Sequence, residues 1–187
     1  MPRPWDPRQP ANFKRGAAFE FVEALKAAPP GSRGVVFDVG ANNGAWSASW
    51  QPHIESFRTA NKTLDLILFE PQAGFAVSLQ ALARRLHGTF VQAAAWRSDS
   101  TLRLRRDGGS VSATVHAIDT VGSSDDGGSL PAAQATMSTV RAVDLAAYVM
   151  RTLPRIGAAR ELSLMKLDVE GAGVHLLAAL FASRDAL

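Results

Sequence analysis

Residues 35–44 read Val-Val-Phe-Asp-Val-Gly-Ala-Asn-Asn-Gly, and this stretch decides the fold. The apolar run at its start predicts a buried strand, and the glycines and asparagines that follow are turn-forming residues. Residues 45–50 behind them can form a helix. A strand, a glycine-bearing turn and a helix in this order place backbone N–H groups and a helix N-terminus against a bound ligand. We therefore expect a ligand site at this turn, with Asp38 adding a carboxylate at the end of the strand.

The composition bounds the class of protein. The chain has 187 residues, of which 47% are apolar, and this is enough for one domain with a hydrophobic core. The 20 basic and 17 acidic residues leave a net charge of +3, which is too small an excess to indicate nucleic-acid binding. The chain has no cysteine, which excludes disulfides and thiolate zinc sites, and its 4 histidines lack metal-ligand spacing. We see neither a signal peptide nor an apolar run approaching the roughly 20 residues of a membrane span, and we expect a cytoplasmic protein.

The residue pattern predicts alternating helices and strands in the first half of the chain. Residues 1–12 contain four prolines, which disfavour a helix and predict an extended lead-in. We expect residues 13–187 to form a single domain. Helices are predicted at 14–28, 45–50 and 75–86, and strands at 35–39, 64–69 and 89–94. The helix at 45–50 meets Pro52, so it either ends near Trp50 or restarts with Pro52 in a first turn. This alternation favours an α/β fold in which a mostly parallel sheet carries helices on both faces.

The second half of the chain predicts an insertion and then a return to the sheet. Residues 101–105 alternate apolar and polar side chains, as a half-exposed antiparallel strand does, and residues 111–115 can complete a β-hairpin. Residues 122–129 have the composition of a mobile loop. A strand at 137–143 is followed by Asp144, a predicted N-cap for a helix at 145–151. A last buried strand begins at Leu162 and runs into Asp168, Glu170 and Gly171, and a helix is predicted at 174–181.

Acidic residues follow three of the predicted strands: Asp38, Glu70, and the pair Asp168 and Glu170. Because ligands of an open parallel sheet bind beyond the carboxyl ends of its strands, these side chains converge on one edge if the strands are neighbours. Each also has a simpler interpretation as a turn, strand-end or helix-capping residue. A carboxylate in this position can accept hydrogen bonds from both hydroxyls of a ribose, which indicates a cofactor that contains a nucleoside.

The spacing of the glycines disfavours a dinucleotide. The fingerprint G-x-G-x-x-G, counted from Gly40, requires glycine at the positions of Asn42 and Ala45. A pyrophosphate also needs positive potential, and Asp38 supplies the opposite charge. A carboxylate suits a cationic ligand better, such as the amino group and sulfonium of S-adenosylmethionine. The Walker phosphate loop is absent, because no Gly-Lys pair occurs in the chain.

Residues 37–44, Phe-Asp-Val-Gly-Ala-Asn-Asn-Gly, resemble the first motif of class I S-adenosylmethionine-dependent methyltransferases. Residues 68–71, 92–95, 140–145 and 165–172 resemble the FkbM-type branch of that family, in the same order. The Lys-Leu-Asp-Val-Glu-Gly-Ala segment after a Phe-Glu-Pro segment is the most specific of these motifs. The resemblance covers residues 35 to 181, and it implies a Rossmann-like sheet and O-methylation of a hydroxyl on a small molecule or sugar.

The resemblance also implies a role for each matching position. The residues that would hold the methionine end of S-adenosylmethionine are Asp38, Gly40, Asn42 and Gly44. Glu70 would hold the ribose hydroxyls, and the small residues Ala94 and Ala95 would leave room for the adenine. Asp168 and Glu170 would face the methyl group and the acceptor, with Asp168 preferred as the base or acceptor-orienting group. The alternative interpretation of these two carboxylates is capping of the helix that follows.

The chain departs from the family pattern at three places. Trp96-Arg97 replaces a small or aliphatic residue followed by glycine or serine, and Gly173 replaces a glutamate. The family's sheet continues for several strands beyond the helix that is predicted to end near Phe181, so we expect a sheet without its last strands. Two alternatives to a methyltransferase follow: a catalytically inactive module that binds the cofactor or a partner, and a nicotinamide-dependent oxidoreductase.

Overall fold

The computed structural model describes residues 16–106, 113–117, 136–153, 161–169 and 172–184. The helices within these ranges are α1 (Ala17–Ala27), α2 (Ala45–Ala48), α3 (Gln51–Thr59), α4 (Ala73–Arg85), α5 (Leu145–Thr152) and α6 (Gly173–Arg184). The strands are β1 (Arg33–Val39), β2 (Thr63–Phe69), β3 (Thr89–Val91), β4 (Ala94–Trp96), β5 (Ser100–Arg106), β6 (Ala113–Ala117), β7 (Thr136–Asp144) and β8 (Glu161–Leu167). The predicted lead-in at 1–12 and the predicted loop at 122–129 lie outside the described residues.

The central sheet has four parallel strands in the order β3-β2-β1-β8. β1 is buried along nearly its whole length, because it has a neighbour on each side and packed layers on both faces. In the register of the sheet, Val39 pairs with Phe69 on β2 and with Leu167 on β8. The carboxyl ends of these three strands therefore lie side by side. The predicted α/β fold with a mostly parallel sheet is confirmed.

Two hydrophobic layers cover the central sheet. On one face, helices α1, α3 and α4 pack against Val36 and Leu68. On the other face, α5, α6 and residues of β4 and β7 pack against Phe37 and Phe69. Successive residues of a strand point to opposite faces, so Asp38 lies on the same face as Val36. This placement directs the carboxylate toward α2, which follows the turn after β1.

A second sheet carries the hairpin insertion. Its order is β4-β7-β5-β6, in which β4 runs parallel to β7 and the remaining pairs are antiparallel. The predicted hairpin is present as β5 and β6. Leu102 and Leu104 are buried while Thr101 and Arg103 are exposed, so the alternation in the sequence corresponds to two different faces.

The structure corrects one predicted strand and decides between two predictions for one helix. The single strand predicted at 89–94 is wrong, since β3 and β4 are separate strands in different sheets. The Ala93 N–H donates to the Val91 carbonyl oxygen at 2.9 Å, and this tight turn takes the chain out of the first sheet. Of the two predictions for the helix that meets Pro52, the restart with Pro52 in a first turn is confirmed: α2 ends at Ala48 and α3 begins at Gln51, and proline in the first turn removes no helical hydrogen bond.

β8 is at one edge of the central sheet, and within the described part of the chain it pairs with β1 alone. None of the described helices combines the length and the apolar character that crossing a membrane requires.

Candidate functional site

The chain changes direction across the central sheet between β1 and β8. From β1 it proceeds to β2 and β3 on one side, whereas β8 occupies the other side of β1. In open α/β sheets, ligands bind beyond the carboxyl ends of the strands at such a switch point. We call this part the carboxyl edge, formed by the ends of β1, β2 and β8. Asp38, Glu70 and Asp168 lie at these three strand ends, as the sequence suggested they would if the strands were neighbours.

The glycine turn, residues 40–44, follows β1 at the carboxyl edge. Most of its backbone N–H groups already have acceptors within the protein. The bonds are Gly40 N to Phe69 O at 3.0 Å, Ala41 N to Phe69 O at 2.9 Å, Asn42 N to Glu70 Oε2 at 2.8 Å and Gly44 N to Ala41 O at 2.8 Å. The N–H of Ala45, the first residue of α2, donates to Asn43 Oδ1 at 3.0 Å. The first three amides hold the turn against the end of β2 and the other two bond within the turn, so they do not form the open cradle that a phosphate requires.

Gly40 is required where the turn passes β8. Its φ of 82° lies in the left-handed region, which side chains disfavour. A Cβ atom at this position would collide with the carbonyl oxygen of Asp168. The Asp168 N–H donates to the Val39 carbonyl oxygen at 2.9 Å, which extends the β1–β8 ladder by one residue. The turn and the end of β8 are therefore in direct backbone contact.

The Asp38 carboxylate supports the glycine turn from the interior. Its side chain is 0% exposed, with the Ser47 hydroxyl donating to Oδ2 at 2.6 Å and the Lys166 ammonium donating to Oδ1 at 3.0 Å. Burial raises the pKa of Asp38, while Lys166 and the Ser47 hydrogen bond act in the opposite direction. Sequence reasoning placed this carboxylate in the space of the ligand. The structure places it behind the turn, in contact with α2 and β8.

Lys166 contacts the site, although it is not among the site residues that the sequence predicted. Besides its bond to Asp38, its Nζ donates to the Gly40 carbonyl oxygen at 3.1 Å and lies 3.4 Å from Asp168 Oδ2. Nζ also lies 5.8 Å from the centre of the Trp46 ring, within the range of a cation–π contact. The sequence signal for this role was a lysine within the mostly apolar run of β8, because a partly buried charge needs a partner. The partner itself depends on the pairing of Lys166 with Asp38 across β1 and β8.

Glu70 connects the end of β2 with the glycine turn. Its side chain is 3% exposed, and Oε2 accepts the Asn42 N–H while Oε1 accepts the Gln72 N–H at 2.9 Å. Burial raises the pKa of Glu70, and these backbone hydrogen bonds oppose the shift. The Gln72 side chain donates to the same carboxylate. An ionised carboxylate has about four acceptor positions, so these three donors leave about one position unoccupied.

The other predicted site residues fall into three groups. Asp168 is 73% exposed and stands at the outer rim of the carboxyl edge, and Glu170 lies outside the described residues. Asn42 and Gly44 form the turn itself, with φ values of 52° and 77°. Ala94 and Ala95 are buried in two different hydrophobic clusters, Ala94 with Leu102 and Ala142 and Ala95 with the core under β1. Both alanine side chains therefore pack inside the protein.

The described residues contain no group of three or more histidine or acidic side chains placed to hold a metal ion. Comparisons of the chain with known protein families, with curated proteins and with solved structures gave no match. The fold and the geometry of the carboxyl edge are therefore the basis on which we infer a function.

Proposed function

We propose that this protein is an S-adenosylmethionine-dependent methyltransferase with a Rossmann-like sheet, acting on a hydroxyl group of a small molecule or sugar. The observation that carries the proposal is the combination of acidic side chains at the carboxyl edge with a glycine turn in which most amides are already hydrogen-bonded. Such an edge favours a ligand that brings positive charge and hydroxyl groups. It disfavours a ligand that is recognised through phosphates, which need unbonded N–H groups or cations.

The balance of charge supports a cationic ligand. Asp38 and Lys166 form an ion pair behind the glycine turn, which leaves the carboxyl groups of Glu70 and Asp168 to set the charge that the edge offers to a ligand. The amino group and sulfonium of S-adenosylmethionine provide the complementary positive charges. The pyrophosphate of a dinucleotide would add negative charge to the same place.

Glu70 supports the nucleoside part of the proposal. It stands at the end of β2, beside the glycine turn, with its carboxylate fixed by two backbone N–H groups. With three of its roughly four acceptor positions occupied, the carboxylate can accept a hydrogen bond from one ligand hydroxyl without losing side-chain entropy on binding. In this proposal that hydroxyl belongs to the ribose.

The protein's part in the reaction is to orient two partners and to accept a proton. S-adenosylmethionine supplies an activated methyl group. When the acceptor oxygen attacks, a C–O bond forms, the C–S bond breaks with its electron pair passing to sulfur, and the acceptor hydroxyl loses its proton. Asp168, exposed at the rim, is the described carboxylate in position to orient the acceptor or take that proton. Glu170 stays a second candidate from the sequence resemblance.

Calorimetry with S-adenosylhomocysteine and with NAD tests the choice of cofactor. We expect S-adenosylhomocysteine to bind and NAD to bind more weakly or not at all. Glu70→Ala should weaken the binding of S-adenosylhomocysteine roughly tenfold or more, because a ribose hydroxyl loses a charged acceptor. Glu55→Ala, on the exposed side of α3, is the matched control and should leave the affinity unchanged. Tighter binding of NAD than of S-adenosylhomocysteine would overturn the proposal.

Transfer of a labelled methyl group separates the enzyme from a binding module. The wild-type protein should label at least one member of a panel of hydroxylated small molecules and sugars, and Glu70→Ala should label it more slowly. Binding of S-adenosylhomocysteine without labelling of any acceptor would favour the catalytically inactive module.

A further inference from the structure

Lys166 contacts three separate parts of the carboxyl edge with one ammonium group. Its Nζ is 3.0 Å from Asp38 Oδ1 on β1, 3.1 Å from the Gly40 carbonyl oxygen in the glycine turn and 3.4 Å from Asp168 Oδ2 after β8. An ammonium has three N–H donors, and three acceptors surround this one. The side chain is 24% exposed, so these contacts are partly shielded from water.

A purely structural role explains only one of these contacts. A carboxylate that is 0% exposed needs a compensating charge, and Lys166 provides it for Asp38. That role requires no contact with the Gly40 carbonyl oxygen or with Asp168. Both additional contacts occur where the backbone of the turn already touches β8, through the close approach of Gly40 to the Asp168 carbonyl oxygen. The Lys166 side chain and the backbone contact at Gly40 therefore join the same two segments, the glycine turn and the end of β8.

We propose that Lys166 is a positioning residue, whose ammonium holds the glycine turn and the end of β8 together as one unit. The inference rests on the proposed function, because it assigns the turn to the methyl donor and Asp168 to the acceptor. Joined in this way, the two halves of the site keep a fixed spacing, which in-line transfer requires. Lys166 itself does not touch the reacting atoms in this proposal.

The test compares variants that keep the interior free of unpaired charge. Lys166→Met alone would leave Asp38 charged and unpaired, so the informative pair is Asp38→Asn and the double variant Asp38→Asn/Lys166→Met. Their difference isolates what Lys166 does beyond neutralising Asp38. The matched control is Arg33→Met/Asp65→Asn, which removes the 2.7 Å ion pair at the opposite end of β1 and β2.

Hydrogen exchange measured by NMR gives a readout that does not depend on the cofactor. In the double variant, the amides of Gly40, Ala41 and Asn42 should exchange roughly tenfold faster or more than in Asp38→Asn, because the turn opens locally. The amides of Leu66 and Leu68 inside β2 should keep their rates. The Arg33→Met/Asp65→Asn control should show no selective change in the turn. Equal exchange rates of the turn amides in Asp38→Asn and in the double variant would overturn the inference.

Calorimetry with S-adenosylhomocysteine supplies the second readout. We expect the double variant to bind it roughly tenfold more weakly or worse than Asp38→Asn does, because a loosened turn must be reordered on binding. Unchanged affinity despite faster exchange of the turn would overturn the link between Lys166 and the cofactor, while the proposed function would stand. Failure of the wild-type protein to bind S-adenosylhomocysteine would instead remove the proposed function and the assignment of the turn to a methyl donor. The exchange rates would still decide whether Lys166 holds the turn to β8.

Discussion

At the scale of single residues, the carboxylates at the carboxyl edge differ in what they contact. Glu70 is bonded to the N–H groups of the turn and of Gln72, and Asp38 is bonded to Ser47 and Lys166. Both are buried, and burial raises the pKa of each. Protonation of Glu70 or of Asp38 therefore changes the hydrogen bonds that support the glycine turn.

The raised pKa of Glu70 predicts a pH-dependent stability. Because this pKa lies above its ordinary value of 4.5, the folded protein binds the proton more tightly than the unfolded chain does. The resulting stability is fully present below pH 4.5 and is lost as the pH rises through the raised pKa. We expect Glu70→Gln to flatten the free energy of unfolding as a function of pH in this window, measured by urea denaturation at several pH values.

The control for this prediction is Glu55→Gln on the exposed side of α3, which should leave the pH profile as it is in the wild-type protein. In Glu70→Gln the free energy of unfolding should still decrease as the pH rises, as it does in the wild-type protein, because the pKa of Asp38 is also raised, from its ordinary value of 3.8. A profile for Glu70→Gln identical to that of the wild-type protein would contradict the prediction.

We expect the backbone conformation at position 40 to require glycine. Gly40→Ala should lower the free energy of unfolding by about 2 kcal/mol or more, because its φ is positive and the Asp168 carbonyl oxygen occupies the space of a Cβ atom. Gly74→Ala is the matched control, as nothing lies within 4 Å of its Cβ position in α4. It should raise stability by about 0.5–1 kcal/mol through its better helix propensity. Urea denaturation of both variants checks the difference, and equal effects would contradict it.

At the scale of elements, the local patterns in the sequence predicted most helices and strands because each depends on neighbouring residues. Strand β2 and helix α4 follow apolar runs with the expected periods, and the Asp144 side chain accepts the Ala147 N–H at 2.8 Å as the N-cap of α5. The break between β3 and β4 was not predictable from such a pattern. The break consists of Gln92 and Ala93, neither of which is a strong turn former, and the turn at Ala93 arises when the chain joins a second sheet.

The C-terminus of α1 depends on a residue from another element. Lys62 is buried, and its Nζ donates to the Leu25 carbonyl oxygen at 2.9 Å and to that of Lys26. These carbonyls have no partner within the helix, and a cation also stabilises the negative end of the helix dipole. Lys62→Met should therefore lower the free energy of unfolding by about 1–3 kcal/mol.

The matched control is Lys26→Met in α1 itself. Lys26 forms an exposed ion pair with Glu23 at 2.8 Å, and its loss should cost about 0.5 kcal/mol or less. Urea denaturation of both variants provides the comparison. A cost for Lys62→Met as small as that for Lys26→Met would show that the buried ammonium does not stabilise α1.

At the scale of the whole molecule, apolar residues of α6 that look alike in the sequence differ in whether they are buried. Leu176 is 1% exposed in the cluster that covers β1, whereas Phe181 is 65% exposed on the same helix. Val174 and Leu177 are exposed as well. Because α6 is apolar on several sides, its sequence pattern does not indicate which side faces the core.

Two substitutions on α6 test this packing. Leu176→Ala should cost about 2–4 kcal/mol, because it removes a buried side chain and leaves a cavity. Phe181→Gln should change the free energy of unfolding by about 0.5 kcal/mol or less, as expected for a surface position. Urea denaturation measures both values. A loss for Phe181→Gln as large as that for Leu176→Ala would show that Phe181 is covered in solution.

The sequence by itself determined the strand–turn–helix at residues 35–50, the strands that end in Asp38, Glu70 and Asp168, and the alternation that favours a parallel sheet. These features depend on residues close together in the chain, whose periodicity and turn chemistry can be recognised directly. Only the tertiary structure decided that Asp38 is buried behind the turn and that Lys166, 128 positions away, bridges it to Asp168. The register between β1 and β8 sets that contact, and register depends on the packing of the whole sheet.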